Sequence, residues 1–145
     1  MKKKYNMPDT GETFTDGFGD YSISKVFDCQ AQGGIRFTNK NDFVILIDSP
    51  NSIYSDSVIG TTISYQGTGE GDQGFKYDPK NRRNGFALNR KVKDPDSILL
   101  YFEKPRTNYL VFKHKAKYES HTYKKAPNKE GKTRKLIVFK LKIIK

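Results

Sequence analysis

At 145 residues, 34% of them hydrophobic and 30% charged, the chain is sized for one domain whose core leans on Tyr, Phe and β-branched side chains, Trp being absent. Its single cysteine, Cys29, excludes an internal disulfide framework or a cysteine-rich metal site. No apolar run approaches the roughly 18 residues that span a bilayer, and none follows the basic Met1 to Tyr5 as a signal peptide requires, so a soluble, cytoplasmic protein is expected.

Taken in chain order, Met1 to Asp20 is polar and Gly-rich and reads as a flexible N-terminal arm, with the domain proper expected over 21–145. Phe43 to Ile47 is a continuous apolar run between Asn39-Lys40-Asn41 and Ser49-Pro50-Asn51. Its length and branching predict a strand buried on both faces. Thr61 to Tyr65, between Gly60 and Gly67, predicts a second strand. A short helix is expected around Asn84 to Lys91, ahead of Asp94-Pro95. Ile98 to Glu103 and Asn108 to Phe112 predict a hairpin with its turn at Lys104-Pro105-Arg106-Thr107. Beyond it, lysines at 113, 115 and 117 alternate with Phe112, His114 and Ala116, the pattern of a strand with one cationic face. Lys124 to Arg134 reads as a basic loop, and Lys135 to Ile143 as the last strand. Short, closely spaced strands suggest a mostly β fold (α+β), a bent β-barrel with one or two short helices. No repeat or interdomain linker is visible.

The net charge of +11 is unevenly placed. Residues 1–30 carry 4 basic and 5 acidic side chains, residues 31–100 carry 9 and 8, and residues 101–145 carry 14 and 3. A surplus concentrated in the last third suits a polyanionic partner, because Lys and Arg displace counterions condensed on a phosphate backbone. Lys80, Arg82, Arg83, Arg90, Lys91 and Lys93 add a stretch of six cations without an acid between Lys80 and Lys93. They are candidates for DNA-backbone contacts, or else a solvated surface.

The most informative segment runs from Tyr54 to Gln73. Asp56 precedes a strand, Tyr65 ends it, and Gly67, Gly69 and Gly71 follow. A carboxylate and an aromatic ring near one site suit a planar heterocycle, the ring by stacking and the carboxylate by accepting from an exocyclic amine. Read singly, each has a plainer role: Asp56 as a turn cap, Tyr65 as a core aromatic, the glycines as a hairpin turn.

In order and spacing, Gly34-Ile35-Arg36, Asp56, Gly60, Tyr65-Gln66-Gly67-Thr68-Gly69, Asp72-Gln73 and Asn84 to Asn89 resemble the pocket region of SRA (SET- and RING-associated) domains over roughly Gly33 to Phe112. The resemblance implies a PUA-like β-barrel that flips a modified cytosine out of duplex DNA. Tyr65 would stack on the base, Asp56 would take its N4 amine, and Tyr54 would be a second stacking ring. Gln66, where the family has Thr, and Gly67 would border the base, while Asp72 and Gln73 would organise the loop. Only Glu70 and Gly71 separate Gly69 from Asp72, so the finger that some SRA domains insert there is missing. Tyr109-Leu110-Val111 stands where others have Tyr-Asp-Gly. This short form is similar to the SRA-like modules of bacterial HNH modification-dependent restriction endonucleases.

The expected partner is therefore double-stranded DNA containing 5-methylcytosine or 5-hydroxymethylcytosine. A nuclease domain or subunit would lie outside this chain, and no cofactor, metal or catalytic residue is expected within it. His114 and His121 lack the surroundings of a nuclease site and read as structural. Three other readings compete: a B3- or PUA-like module for unmodified duplex, an RNA-binding module, and a small metal-dependent nuclease using Asp56, Asp72 and Asp78.

Overall fold

The computed structural model describes residues 7–16, 19–29, 33–38, 43–49, 57–69, 71–127 and 130–144. Ten elements follow in chain order: β1 (Thr13–Phe14), α1 (Ile23–Phe27), β2 (Ile35–Phe37), β3 (Phe43–Asp48), β4 (Ser57–Ile59), β5 (Thr62–Gln66), α2 (Phe86–Lys93), β6 (Ile98–Arg106), β7 (Tyr109–Pro127) and β8 (Thr133–Ile144). The eight strands form one sheet in the order β2-β3-β6-β7-β8-β5-β4, with β1 pairing with β7 off this path. β3 and β6 are parallel and every other pair is antiparallel. The expected mostly β class holds, and the sheet is bent but not closed, because its end strands, β2 and β4, do not pair with each other.

The continuous apolar runs are buried on both faces, as their lack of alternation predicts. From β3, Val44 and Leu46 enter one core, where they meet Leu99 and Tyr101 of β6, Ile63 and Tyr65 of β5, and Ile137, Phe139 and Leu141 of β8. The alternate residues Phe43, Ile45 and Ile47 join Leu100 and Phe102 in a second core on the opposite face. That second face needs a cover. α1 supplies Ile23 and Phe27, and β1 supplies Phe14, which is 4% exposed.

The N-terminal segment therefore differs from the arm expected over 1–20. Thr13 and Phe14 pair with Val111 and Leu110, and Phe14 packs its ring against Phe27 and Phe102. A Phe that seals a core binds its stretch of chain down, however polar its neighbours. Residues 1–6 and 17–18 lie outside the described residues.

The strands also run further than their apolar residues do. β6 continues through Lys104-Pro105-Arg106, and the turn falls at Thr107-Asn108, where Asn108 takes the left-handed φ of 59°. β7 and β8 pair out to Pro127↔Thr133, so most of the expected basic loop 124–134 is strand. A bulge after Tyr101 of β6 splits the expected alternation in β7. Phe112 joins the second core, while Ala116 joins the first and His114 stacks on Tyr101. Lys115, opposite Leu100, is half-buried. The helix begins two residues later than expected, at Phe86.

One contact holds the bend. Tyr65 stands on β5, four strands away from β3 in the sheet order. Its hydroxyl accepts from the Ile47 amide at 3.1 Å and has the carbonyls of Ile47 and Gly34 within 2.8 and 2.9 Å to receive its proton. The ring crosses the first core to get there, edge-on to Tyr101 at 6.3 Å. A phenol is long enough to bridge the open side, where its hydroxyl adds to the 2.8 Å bond that the Ile47 amide already gives the Gly34 carbonyl. Tyr65→Phe is expected to lower stability by about 1 kcal/mol, the net contribution of the hydroxyl's hydrogen bonds, read as a shift of the urea midpoint. An unchanged midpoint would mean that the hydroxyl is no staple.

Candidate nucleic-acid interface

A cleft of about 510 Å³ opens where four chain segments converge: Gly33-Gly34 ahead of β2, Thr68-Gly69 after β5, Arg82-Arg83, and Gly85 to Leu88 at the start of α2. Its shape depends on backbone passing close to backbone. A Cβ on Gly85 would stand 2.0 Å from the Thr68 carbonyl oxygen, and one on Gly69 2.4 Å from the Asn84 carbonyl carbon. Both glycines also have positive φ, 74° and 127°. No other residue type fits such a crossing without moving the chain.

Two buried amides lock it. Asn89, fully buried in α2, accepts from the Thr68 amide at 2.9 Å and donates to the carbonyls of Thr68 and Gly74 at 2.9 and 3.1 Å. Gln73 donates to Gly67 O at 2.8 Å and accepts from the Ile137 amide at 3.0 Å, fastening the loop to β8. Asp72 accepts from the Lys135 amide at 2.7 Å, and Arg134 donates to the carbonyls of Gly69 and Gly71. The expected loop-organising role of Asp72 and Gln73 is what their bonds describe.

The Gly33 side is held by charge. Arg36, 3% exposed, donates to Gly33 O at 2.8 Å and to Asp16 at 2.9 Å, and Lys104 reaches the same carboxylate at 3.0 Å. Burial pushes the Asp16 carboxyl up, but the hydrogen bonds and charges of Arg36 and Lys104 outweigh it and hold it below 3.8.

The sequence-predicted residues fall into three groups. Arg82 and Arg83 line the cleft and are exposed; Lys80, Arg90 and Lys91 are exposed as well, with Lys91 5.6 Å above the ring of Phe37. Tyr65, Gln66 and Gly67 are not open to a ligand. Tyr65 is 3% and Gln66 6% exposed, and Gly67 is packed against Gln73, Asn89 and Ile137. The reason is strand alternation, which turns Tyr65 inward with Ile63, so that Tyr65 stands behind Gly34, a lining residue, rather than in the cleft. Asp56 and Tyr54 lie outside the described residues.

The ring that does line the cleft is Phe86, edge-on to the exposed Tyr77 at 5.8 Å. Sequence reasoning passed over it. Its only signal was its place between Gly85 and Ala87, inside the recognised motif.

Nothing among the described residues groups three His, Cys, Asp or Glu side chains as metal ligands. Asp78 accepts from the Lys80 amide at 2.9 Å, and His121 shares a 2.6 Å bond with the Tyr118 hydroxyl. Burial pushes the Cys29 thiol up to about 11, which keeps it protonated near neutral pH. No helix among the described residues is long and apolar enough to cross a membrane.

Two stability measurements check this construction. Gly85→Ala should cost about 2–5 kcal/mol, left-handed strain plus overpacking. Gly131→Ala, at φ 81° with nothing within 4 Å of the added Cβ, should show only the strain, about 1–2 kcal/mol. Equal losses would mean the crossing is looser than described. Asp16→Asn leaves Arg36 buried without its counter-charge and should cost about 3 kcal/mol near neutral pH. A carboxyl lowered by folding stabilises above its unfolded value and loses that contribution as pH falls through the folded one. Wild type should therefore lose more stability than Asp16→Asn in urea titrations below about pH 4; parallel pH profiles would contradict the assignment.

The family described as "ScoMcrA-like, SRA domain" matches residues 11–145. No curated protein sequence gives a significant match. The solved sulfur-binding and SRA domains of ScoMcrA, complexed with phosphorothioated DNA, align with a TM-score of 0.70 at 23% identity, over 95% of this chain and 40% of that one. MspJI restriction endonuclease with a 27-mer oligonucleotide gives 0.63 at 12% identity, over 97% and 43%. The SUVH5 SRA domain with hemi-methylated CG DNA gives 0.55 at 16%, over 94% of each chain. The chain thus spans less than half of the ScoMcrA chain it matches. With the family matched over nearly the whole length and the fold shared with these structures, the chain belongs to the ScoMcrA-like SRA domains.

Proposed function

We propose that this domain reads modified cytosine, 5-methylcytosine or 5-hydroxymethylcytosine, in duplex DNA by drawing the base out of the stack. The observation that carries the reading is how polarity is divided in the cleft. Its lining is glycine backbone with Ala87 and the half-buried Phe86 and Leu88, and its cations, Arg82 and Arg83, are exposed. Such a division suits an aromatic base inside and phosphates outside. Its volume lies in the range of about 300–1,000 Å³ usual for ligand sites.

In this reading Phe86 and Tyr54 offer ring faces, and Asp56 accepts from the N4 amine. Tyr65, with Gln66 and Gly67 beside it, stands as the fixed floor behind Gly34. Lys80, Arg82, Arg83, Arg90 and Lys91 hold the backbone. Extrusion costs a few kcal/mol, which stacking and phosphate contacts must offset. ScoMcrA has a sulfur-binding domain beside its SRA domain, so we assign a base modification, rather than backbone sulfur, to this module. DNA cleavage, where it occurs, would belong to another domain or subunit.

The test is a titration of duplexes that differ only at C5 of one cytosine, at fixed salt. Burying one methyl contributes about 0.8 kcal/mol, so a preference of roughly fourfold or more is expected. Asp56→Ala should abolish that preference. Arg82→Gln with Arg83→Gln should weaken modified and unmodified duplexes alike and reduce the salt slope by about 2. Equal wild-type affinity for both duplexes would sink the reader assignment. Tighter binding of single-stranded RNA would favour the RNA module, and metal-dependent cleavage lost in Asp56→Asn would favour the nuclease.

A further inference from the structure

β7 has 19 residues and β8 has 12, against the 5–6 usual for a strand. Packing accounts for only part of this length. In the hairpin's far half Arg134, Leu136 and Ile137 of β8 are buried. Across from and between them Tyr123, Lys124, Lys125 and Lys135 stand exposed, and the ribbon ends at Pro127↔Thr133.

The charge arrangement here is costly to a protein alone. Lys125 and Lys135 stand directly opposite one another, where like charges destabilise a sheet. Neither has an ion pair among the described residues. The hairpin's two glutamates lie near other lysines, Glu119 by Lys140 and Glu130 by Lys132. Residues 120–135 hold six basic side chains and one acidic. Tyr123, 48% exposed, carries the Lys135 ammonium 4.8 Å over its ring, an aromatic surface beside a cation.

We propose that the far end of the β7–β8 hairpin is a second duplex-DNA contact, lying along a groove with Lys124, Lys125 and Lys135 on the flanking phosphates. It rests on the reading of the domain as a duplex binder and deepens it. A two-stranded ribbon has the width of the major groove. Lys124 pairs across from Leu136 and projects on the opposite face from Lys125 and Lys135, so the ribbon offers cations to both walls. Polyanion binding would also relieve the facing lysines.

The hairpin is bolted to the cleft. Arg134 donates to Gly69 O, Gly69 lines the cleft, and the Lys135 amide donates to Asp72. A duplex seated on the ribbon is thereby set in register with the cleft. Phosphates gripped at the hairpin would fix which nucleotide faces Phe86.

The experiment compares wild type with Lys124→Gln/Lys125→Gln, measuring Kd against salt for the modified and the unmodified duplex. Thermal melting confirms that the variant folds. The double variant should reduce the salt slope by about 1.8, two phosphates at about 0.9 each, and weaken both duplexes by the same factor. Lys124→Arg/Lys125→Arg should keep the wild-type slope. A slope and Kd unchanged in the glutamine variant would overturn the hairpin contact while leaving the reader assignment standing. A lowered slope in a protein with no preference for modified DNA would support the hairpin and sink the reader assignment instead. Wild-type protein that binds no duplex would overturn both.

Discussion

Thr68-Gly69 and Asn84-Gly85 cross at a separation that leaves no room for a single Cβ, and the cleft is the space beside that crossing. Two buried amides nearby hold these polar backbones together. Asn89 accepts from the Thr68 amide and donates to the carbonyls of Thr68 and Asn84, and Gln73 donates to Gly67 O while accepting from the Ile137 amide of β8. Buried amides of this kind work only when each group is met, which makes the crossing all-or-none. The site is thus rigid on three sides: by the crossing, by the Tyr65 bridge behind Gly34, and by Arg36 under Gly33. A preformed wall loses little freedom when a ligand enters, so in the proposed reading more of the contact energy would remain for taking a base out of its stack.

The same sheet divides labour between its faces. One core holds α2 through Val92, and with it the cleft; the other is closed by α1 and β1. Asp16 joins the two arrangements. It follows β1, whose Phe14 seals the second core, and its carboxylate holds the arginine that pins the cleft's Gly33 edge. Packing on the far side of the sheet and geometry at the site are linked through that one ion pair.

What could be read in the sequence follows from what leaves a pattern. The runs at Phe43 and Ile98 gave their strands away because burial on both faces demands unbroken apolar residues. The far half of β7 and β8 had no such mark, since a ribbon with exposed Lys124, Lys125 and Lys135 reads as loop. α1, five residues capped by Ser22, is too short for a helical period to show. Phe14 was hidden by polar neighbours. The order of Gly34, Gly67, Gly69, Gln73, Asn84 and Asn89 did lead to the cleft and its supports. The roles within it were less legible: Tyr65 turned out to bridge the bend, and Phe86 faces the cleft. Spacing along the chain does not say which face of a strand a ring will take until the neighbouring strands are placed.

The claim that the cleft receives a base is tested most directly by a crystal structure of the domain with a duplex carrying a single 5-methylcytosine. The account predicts that the methylated base lies outside the helix, between Phe86 and the Gly33-Gly34 wall, with Arg82 and Arg83 on phosphates. A base still stacked in the duplex, or one extruded into a different part of the surface, would contradict it.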